Sequence, residues 1–324
     1  MTANQILGNA NYPIISYGGF RGDNRDVEPT IAQIKEDLGL IAGQGYKAIR
    51  TYDLQHDFAE NVLQAISELK AADSNFEMYV FLGAWIECDN SWSLMNANHA
   101  AENLTQNTDE INEAVRLANQ YPDEVVAISV GNEAMVNWAY LYFVDQSIIL
   151  KWVNHLQDLK SNGGLGADVW ITSSDNYVAW GGDALYKTNT LTDLINAVDF
   201  IFVHTYPFHE TDNFGSGEDL ITDAKQSAIA QYQSVKSYVE SLGSNTPVHI
   251  GETGWATVSS DGYAEIANVA NQSAYYSTMK AWGAENNTTV GIFSAFDEIW
   301  KAEWDVNHSE NNFGIYGLDR TLKN

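Results

Sequence analysis

The sequence predicts a (β/α)8 TIM barrel that forms a single α/β domain over residues 1–324. Three observations predict it. Eight short β-branched or aromatic runs alternate with amphipathic segments, the runs are almost continuously apolar, and no low-complexity linker interrupts them. A chain of 324 residues also suits one barrel of this kind. A doubly wound open sheet is the structural alternative, but no strand-like run is followed by a G-x-G-x-x-G turn that opens a helix.

The strand-like runs follow one another along the whole chain. They lie near residues 14–19, 46–52, 76–85, 125–132, 169–174, 198–206, 246–252 and 289–297. Apolar residues at three- and four-residue steps predict a helix over about 219–242 and a helical face from Phe58 to Leu69. A further helical segment after Thr108 stops at Pro122.

The charge balance excludes several classes of partner. The chain has 16 Lys and Arg against 43 Asp and Glu, which gives a net charge of -27. Such a field repels nucleic acid and anionic membrane surfaces, whereas a neutral polysaccharide is not repelled. Charged residues are only 18% of the chain, so a role of the acidity in solubility or at high salt is the simpler explanation.

Cysteine and histidine patterns give no indication of a metal or a cofactor. Cys88 is the single cysteine, so an internal disulfide cannot form. The seven histidines form no H-E-x-x-H motif, and we expect neither a metal nor another cofactor. No run of 18 apolar residues is present, so we expect no transmembrane helix.

Polar residues cluster where the predicted strands end. In a (β/α)8 barrel these ends share one rim, at which catalytic groups gather. The fourth strand ends in Asn132 and Glu133, and the seventh ends in Glu252. Each carboxylate taken alone is explained about equally well as a hydrogen-bonded rim or capping group. Two carboxylates facing each other across a cleft, however, are the minimal equipment for glycoside hydrolysis.

Two of these strand ends resemble a known family. The segments SVGNEA and GETGW are similar to the two signature segments of glycoside hydrolase family 17, the β-1,3-glucanases. The resemblance extends over nearly the whole chain, through SYGG, RTYD, HTYPF, FDEIWK and the terminal NFGIYGLD. It implies a (β/α)8 enzyme with the acid/base on the fourth strand and the nucleophile on the seventh.

The resemblance also implies roles for individual residues. Glu133 would be the general acid/base and Glu252 the nucleophile, with carboxyl groups about 5–5.5 Å apart as in retaining enzymes. Asn132 would bind the 2-hydroxyl of the sugar, and Tyr206 would donate to the nucleophile. Glu298 and Lys301 resemble a pair near the nucleophile, Trp255 and Tyr52 would shape the glycone side, and Asp53 belongs to the same RTYD segment.

Ten tryptophans exceed what a core of this size needs, and a cleft that stacks on sugar rings would use the surplus. Six lie at or just after predicted strand ends: Trp85, Trp92, Trp138, Trp180, Trp300 and Trp304. We expect three or four of them, with Trp85, Trp138 and Trp300 foremost, to contact glucose rings. We expect Trp152 and Trp170 to belong to the core.

Together these features predict a retaining endo-1,3-β-glucanase that cuts laminarin-type glucan. The partners would be neutral β-1,3-glucan polysaccharide and oligosaccharides, without nucleic acid or membrane, and the protein would be a monomer. Two alternatives stay open: a β-1,3-glucan glucosyltransferase that uses the same glutamates, because FDEIWK is closer to fungal and bacterial members, and a non-catalytic glucan-binding barrel.

The start of the chain, MTANQILGNANYP, shows no basic segment followed by an apolar run, so no signal peptide is visible. Members of the family are usually exported. We therefore expect a secreted, periplasmic or cell-surface bacterial protein, with a cytoplasmic location as the alternative.

Overall fold

The computed structural model describes residues 1–323, without the side chains of residues 212, 213 and 218. Eight parallel strands close into a barrel, and helices surround it. The strands in chain order are β1 (Ile14–Ser16), β2 (Ala48–Arg50), β3 (Tyr79–Ala84), β4 (Cys88–Asp89), β5 (Asn98–Glu102), β6 (Val125–Asn132), β7 (Trp170–Asn176), β8 (Ile201–His204), β9 (Val248–Gly254) and β10 (Val290–Phe293). The short strands β4 and β5 form a separate antiparallel hairpin, so the barrel order is β1-β2-β3-β6-β7-β8-β9-β10.

The α-helices are α1 (Ala3–Ile6), α2 (Ile31–Gly43), α3 (Phe58–Ala72), α4 (Leu104–Gln120), α5 (Gln146–Asn162), α6 (Asn189–Ala197), α7 (Glu218–Ser241) and α8 (Val269–Glu285). The predicted (β/α)8 barrel is therefore confirmed, including all eight barrel strands and the helix predicted over 219–242. The hairpin β4–β5 was not predicted. It lies in the connection between β3 and α4, whose residues show little period-2 apolar alternation.

The core consists of two apolar clusters on opposite sides of the sheet. The larger cluster packs the outer face of the barrel against the helices. The smaller one fills the barrel interior, where the rings of Phe81, Phe200 and Phe202 lie 4.8–6.2 Å apart, and α1 closes it with Ala3 and Ile6. Side chains thus fill the barrel interior, and the space for a ligand lies at the carboxyl ends of the strands.

Strand register brings polar residues to one level of that rim. Asn132 at the end of β6 is paired with Ser174 of β7, and His204 at the end of β8 is paired with Glu252 of β9. Neighbouring parallel strands lie about 4.8 Å apart. Residues far apart in sequence therefore become neighbours at the mouth of the barrel.

None of the helices within residues 1–323 is long and apolar enough to cross a membrane.

Candidate active site

Two adjoining cavities form a cleft across the carboxyl rim of the barrel. Cavity one has a volume of about 720 Å³ and is lined by both Glu133 and Glu252. Cavity two has a volume of about 520 Å³ and lies towards the loops that follow β1, β2, β3 and β10. Both cavities are lined by Tyr52, Asn132, Phe293 and Glu310. The cleft therefore extends from the predicted catalytic pair in cavity one into cavity two.

Glu252 lies deep in this cleft and is surrounded by donors. Its side chain is 5% exposed and forms an ion pair with Arg50, which is 1% exposed. The hydroxyl of Tyr206 donates to Oε2 of Glu252 at 2.6 Å, and that of Tyr52 donates to Oε1 at 2.9 Å. Arg50 also donates from Nη2 to Oδ1 of Asn132 at 2.6 Å, which connects the ends of β2, β6 and β9.

These donors decide the ionisation of Glu252. Burial by itself would raise the pKa of this carboxyl, because it disfavours the charged form. Electrostatic interactions with His204 and Arg50 oppose the effect of burial, as do the hydrogen bonds from Tyr206 and Tyr52, and together they hold the pKa of Glu252 below its usual value. Burial, followed by the charge of Glu252, raises the pKa of both tyrosines well above 10.0. Both tyrosines therefore stay protonated as donors, and Glu252 stays ionised at neutral pH.

Glu133 has a different environment. It follows the end of β6 in a left-handed backbone conformation, with φ of 47°, and its side chain is 27% exposed. Its Oε1 lies 3.0 Å from Nδ1 of His204, whose Nε2 contacts Oγ of Ser174 at 2.6 Å. An imidazole that carries its proton on Nδ1 would donate to Glu133 and accept from Ser174. Glu133 thus faces solvent and substrate more than Glu252 does.

His204 connects the two glutamates. Its Nδ1 lies 3.0 Å from Oε1 of Glu133 and 3.6 Å from Oε2 of Glu252. These two oxygens can therefore be no further apart than 6.6 Å, the two distances laid end to end. A retaining pair with its carboxyl groups about 5–5.5 Å apart fits within that limit.

The wall of cavity two is aromatic and charged. Trp92 stacks on Trp85 with ring centroids 6.2 Å apart and on Tyr142 at 5.3 Å. We call these three rings the aromatic platform. The indole N–H of Trp92 donates to Oε2 of Glu87 at 2.9 Å, and the backbone of Trp92 has a φ of 62°. Trp92 was expected at a strand end as one of six candidates; the structure places it against Trp85 in this wall.

The remaining predicted residues of cavity two are connected by ion pairs, a cation–π contact and a hydrogen bond. Asp53 is bound by Arg25 at 2.8 Å, and Arg25 lies over the ring of Trp300 at 5.1 Å. The indole of Trp300 donates to Glu298 at 3.1 Å, and Lys301 pairs with the same carboxylate at 3.0 Å. In cavity one, Trp138 is 53% exposed and lines the cleft.

The expectation that Trp255 shapes the glycone side needs correction. Trp255 does not line the cleft: it is fully buried, its N–H donates to the carbonyl of Ile266 at 3.0 Å, and its ring packs against Phe208. Trp180 is also fully buried, because its N–H is satisfied by the carbonyl of Phe202 beneath the rim.

Lys301 is not the cation in contact with the nucleophile. It lies over the ring of Phe293 at 4.2 Å, whereas Arg50 contacts Glu252 directly. Trp304, a further candidate, is 76% exposed and lines neither cavity. Trp152 belongs to the core as predicted, and Trp170 packs at its edge against Phe200.

Sequence reasoning missed one carboxylate and the parts played by two other residues. Arg50 and His204 begin the segments RTYD and HTYPF, but their contacts with the glutamates were not predicted. Asp175, near the end of β7, was not considered; it is fully buried and lies near Glu133. A signal was present in TSSDN, where a carboxylate follows a buried run in the manner of the fourth and seventh strands. Within residues 1–323, no group of three or more His, Cys, Asp or Glu is arranged to hold a metal ion.

The chain is similar to known proteins over most of its length. Residues 15–314 match the model of the BtgE/BtgC glycoside hydrolase domain. An endo-laminarinase from Formosa Hel1_33_131 is 45% identical, with a TM-score of 0.95 over 98% of this chain and 86% of that one. A β-1,3-glucanosyltransferase of glycoside hydrolase family 17 from Rhizomucor miehei, 21% identical, has the same fold with a TM-score of 0.68 over 97% of this chain and 96% of that one.

Curated relatives are more distant. A glucan 1,3-beta-glucosidase of Schizosaccharomyces pombe is 28% identical over 62% of this chain and 57% of its own length. A putative glucan endo-1,3-beta-glucosidase of Aspergillus niger is 23% identical over 91% of this chain and 40% of its own length. The chain thus spans about half the length of the curated relatives it matches. The family match and the endo-laminarinase structure together confirm the resemblance found in the sequence: this chain belongs to the BtgE/BtgC glycoside hydrolase domains, within the β-1,3-glucanase family 17.

Proposed function

We propose that residues 1–324 act as one catalytic domain, a retaining endo-1,3-β-glucanase that hydrolyses laminarin-type glucan. The single observation that carries the proposal is the contrast between two glutamates joined by His204. Glu252 is buried, ion-paired and held ionised, whereas Glu133 is 27% exposed and contacts a histidine that can donate to it. A pair of carboxyl groups with such different environments fits a nucleophile and a general acid.

In the first step, a carboxylate oxygen of Glu252 attacks the anomeric carbon, and the bond to the glycosidic oxygen breaks. Glu133 gives its proton to that oxygen, so the departing chain leaves as an alcohol. In the second step, Glu133 takes a proton from water, the water oxygen bonds to the anomeric carbon, and Glu252 is released as a carboxylate. The ion pair with Arg50 and the hydrogen bonds from Tyr52 and Tyr206 keep Glu252 oriented for attack.

The position of the acid gives the cleft a direction. Glu133 lines cavity one and not cavity two, and the acid must reach the oxygen of the leaving group. Glu252 also lines cavity one, so we place the scissile bond and the leaving chain in cavity one and the glycone sugars beyond the scissile bond in cavity two. Asn132 lines both cavities and accepts from Arg50, so it lies where the 2-hydroxyl of the cleaved sugar would be bound.

The endo mode follows from the shape of the cleft. Both glutamates line the cavity of about 720 Å³, and the cavity of about 520 Å³ adjoins it through Tyr52 and Asn132, so the cleft has room for sugar residues on both sides of the scissile bond. The endo-laminarinase from Formosa Hel1_33_131, at 45% identity, supports this mode.

A glucanosyltransferase is the second candidate. Cavity one carries Trp138, Tyr177 and Phe313, rings that could hold an acceptor sugar in place of water. Both reactions use the same glycosyl-enzyme ester and differ only in what attacks it.

A time course of the products formed from purified laminarin, resolved by chain length, distinguishes hydrolysis from glucosyl transfer. Hydrolysis predicts a ladder of oligosaccharides that shortens with time. Products longer than the starting chains would assign transfer instead. If no product forms and laminarihexaose still binds, the protein is a non-catalytic glucan-binding barrel.

We further propose that the partner is a neutral glucan and that the protein is a monomer. We also propose that it acts outside the cytoplasm, because the intact polysaccharide cannot cross a membrane. Cell fractionation of the source organism and light scattering of the purified protein test these points. A cytoplasmic fraction or a stable dimer would overturn the corresponding proposal.

A further inference from the structure

The backbone that carries Glu133 is strained and must be held by its surroundings. Gly131 and Glu133 both have left-handed φ values, 76° and 47°. This conformation costs a non-glycine residue about 1–2 kcal/mol. Such a turn persists only where other contacts over-determine it, and the contacts here come from the neighbouring strand β7.

Strand β7 binds two backbone amides of this turn. The N–H of Glu133 donates to the carbonyl of Ser174 at 3.0 Å. The N–H of Met135 donates to Oδ2 of Asp175 at 2.7 Å. The N–H of Asn176 donates to Oδ1 of Asp175 at 2.7 Å, which fixes the rotamer of the carboxyl itself.

Burial of the Asp175 carboxyl at this position is energetically unfavourable. Its side chain is fully buried, and burial raises the pKa of its carboxyl well above the usual value, with the nearby charge of Glu133 adding to the effect. A buried carboxyl costs several kcal/mol unless hydrogen bonds satisfy it. It forms no ion pair within the described residues, and the amides of Met135 and Asn176 donate to its carboxyl.

We propose that Asp175 is a positioning residue for the general acid/base: by binding the amide of Met135 it fixes the left-handed turn that aims the Glu133 carboxyl at the glycosidic oxygen. Ser174 completes this support from the same strand, since its carbonyl binds the amide of Glu133 and its hydroxyl orients His204. Asp175 does not line either cavity and does not touch the substrate. The inference rests on the proposed role of Glu133.

The test compares two substrates that differ in leaving group. Internal bonds of laminarin need the acid, whereas an activated aryl β-laminaribioside loses its aryl group with little protonation. We expect Asp175→Asn to lower kcat/KM on laminarin by about 100-fold, because a misplacement of about 1 Å can cost that much. On the aryl glycoside, kcat/KM should fall by less than about threefold, because the acid then contributes little to the barrier.

Asp37→Asn is the matched control. Asp37 is another fully buried carboxylate, paired with Arg320 and Arg21, and it lines neither cavity. It should lose stability, and any loss of activity should be equal on both substrates. If Asp175→Asn does not fold, as judged by a thermal melt, Asp175→Ser takes its place, because its shorter side chain keeps one acceptor.

Each outcome decides the inference. An equal fall on both substrates for the Asp175 variant, or no fall on either, would overturn it. Glu133→Ala separates this failure from a failure of the proposed function. If Glu133→Ala itself shows no dependence on the leaving group, the acid role of Glu133 is wrong. If it does and Asp175→Asn does not, only the inference on Asp175 fails.

Discussion

Arg50 forms a buried ion pair with Glu252, although 202 residues separate them in sequence. Truncating one partner of such a pair leaves the other charge uncompensated, at a cost of about 3–5 kcal/mol. The pair therefore couples the stability of the barrel mouth to the ionisation of the proposed nucleophile.

The first prediction concerns this pair. In Arg50→Met, Glu252 loses a cation that lowers its pKa, while burial still raises it. The pKa of Glu252 rises, and ionised nucleophile is then present only at higher pH. We expect the acidic limb of the kcat/KM profile to move up by about one to three pH units.

The sign for stability follows from the same shift. A carboxyl with a lowered folded-state pKa stabilises the fold above its unfolded-state pKa, and this contribution is lost as the pH falls through the folded-state value. Arg50→Met should lose that contribution. Arg320→Met breaks the buried pair with Asp37 and serves as the control, since it should lower stability without moving the limb. If the acidic limb of the kcat/KM profile does not move in Arg50→Met, the ion pair does not control the ionisation of Glu252.

The second prediction separates binding from turnover. Glu252→Gln keeps the shape of the side chain and removes the nucleophile, so kcat on laminarin should fall by about 10⁴-fold or more. Binding of laminarihexaose, measured by calorimetry, should be retained because the cavities are unchanged. A variant that keeps most of its turnover would show that another group attacks the sugar.

The third prediction concerns the aromatic platform in cavity two. Trp92→Ala should lower kcat/KM for longer laminarioligosaccharides by about tenfold, which corresponds to about 1.4 kcal/mol of lost ring contact. The shortest substrates should be affected less, because they do not reach the platform. Glu87→Ala removes the acceptor of the Trp92 indole and should give a smaller loss of the same kind.

Trp304→Ala is the control for the platform, since Trp304 is 76% exposed and lines neither cavity. The comparison is made on oligosaccharides of two to seven glucose units. A loss in Trp92→Ala that is the same at every chain length would show that the ring acts on folding and not on binding.

The fourth prediction uses a buried carboxyl beside the cleft. Burial raises the pKa of Glu110 to about 8, although the amides of Trp85 and Leu54 donate to it. The folded state therefore binds its proton more tightly than the unfolded state does. The stability that this provides is fully present below pH 4.5 and is lost as the pH rises towards 8.

Glu110→Gln removes this titration and can keep an oxygen at the position where both amides donate. We expect equal thermal stability of variant and unmodified protein near pH 4, and a variant more stable by about 2–4 kcal/mol near pH 9. Melting curves across this range provide the measurement. A variant that is less stable at pH 9 would show that both carboxyl oxygens are needed as acceptors.

The sequence by itself determined the barrel and its two glutamates. Alternation of apolar runs with amphipathic segments is a local property, and the ends of parallel strands must meet at one rim, so Glu133 and Glu252 could be placed together from spacing alone. Tyr206 was placed correctly because it follows β8 by two residues, at the same rim.

Only the tertiary structure decided which side chains turn into the cleft and which support it from below. Trp255 and Trp180 follow strand residues as the cleft tryptophans do, yet carbonyl acceptors and packing partners from other segments bury them. Asp175 meets the amide of Met135 across 40 residues, and Arg50 meets Glu252 across 202. Such contacts depend on strand register and loop direction, which are set by packing of the whole barrel and leave no periodic signal in the sequence.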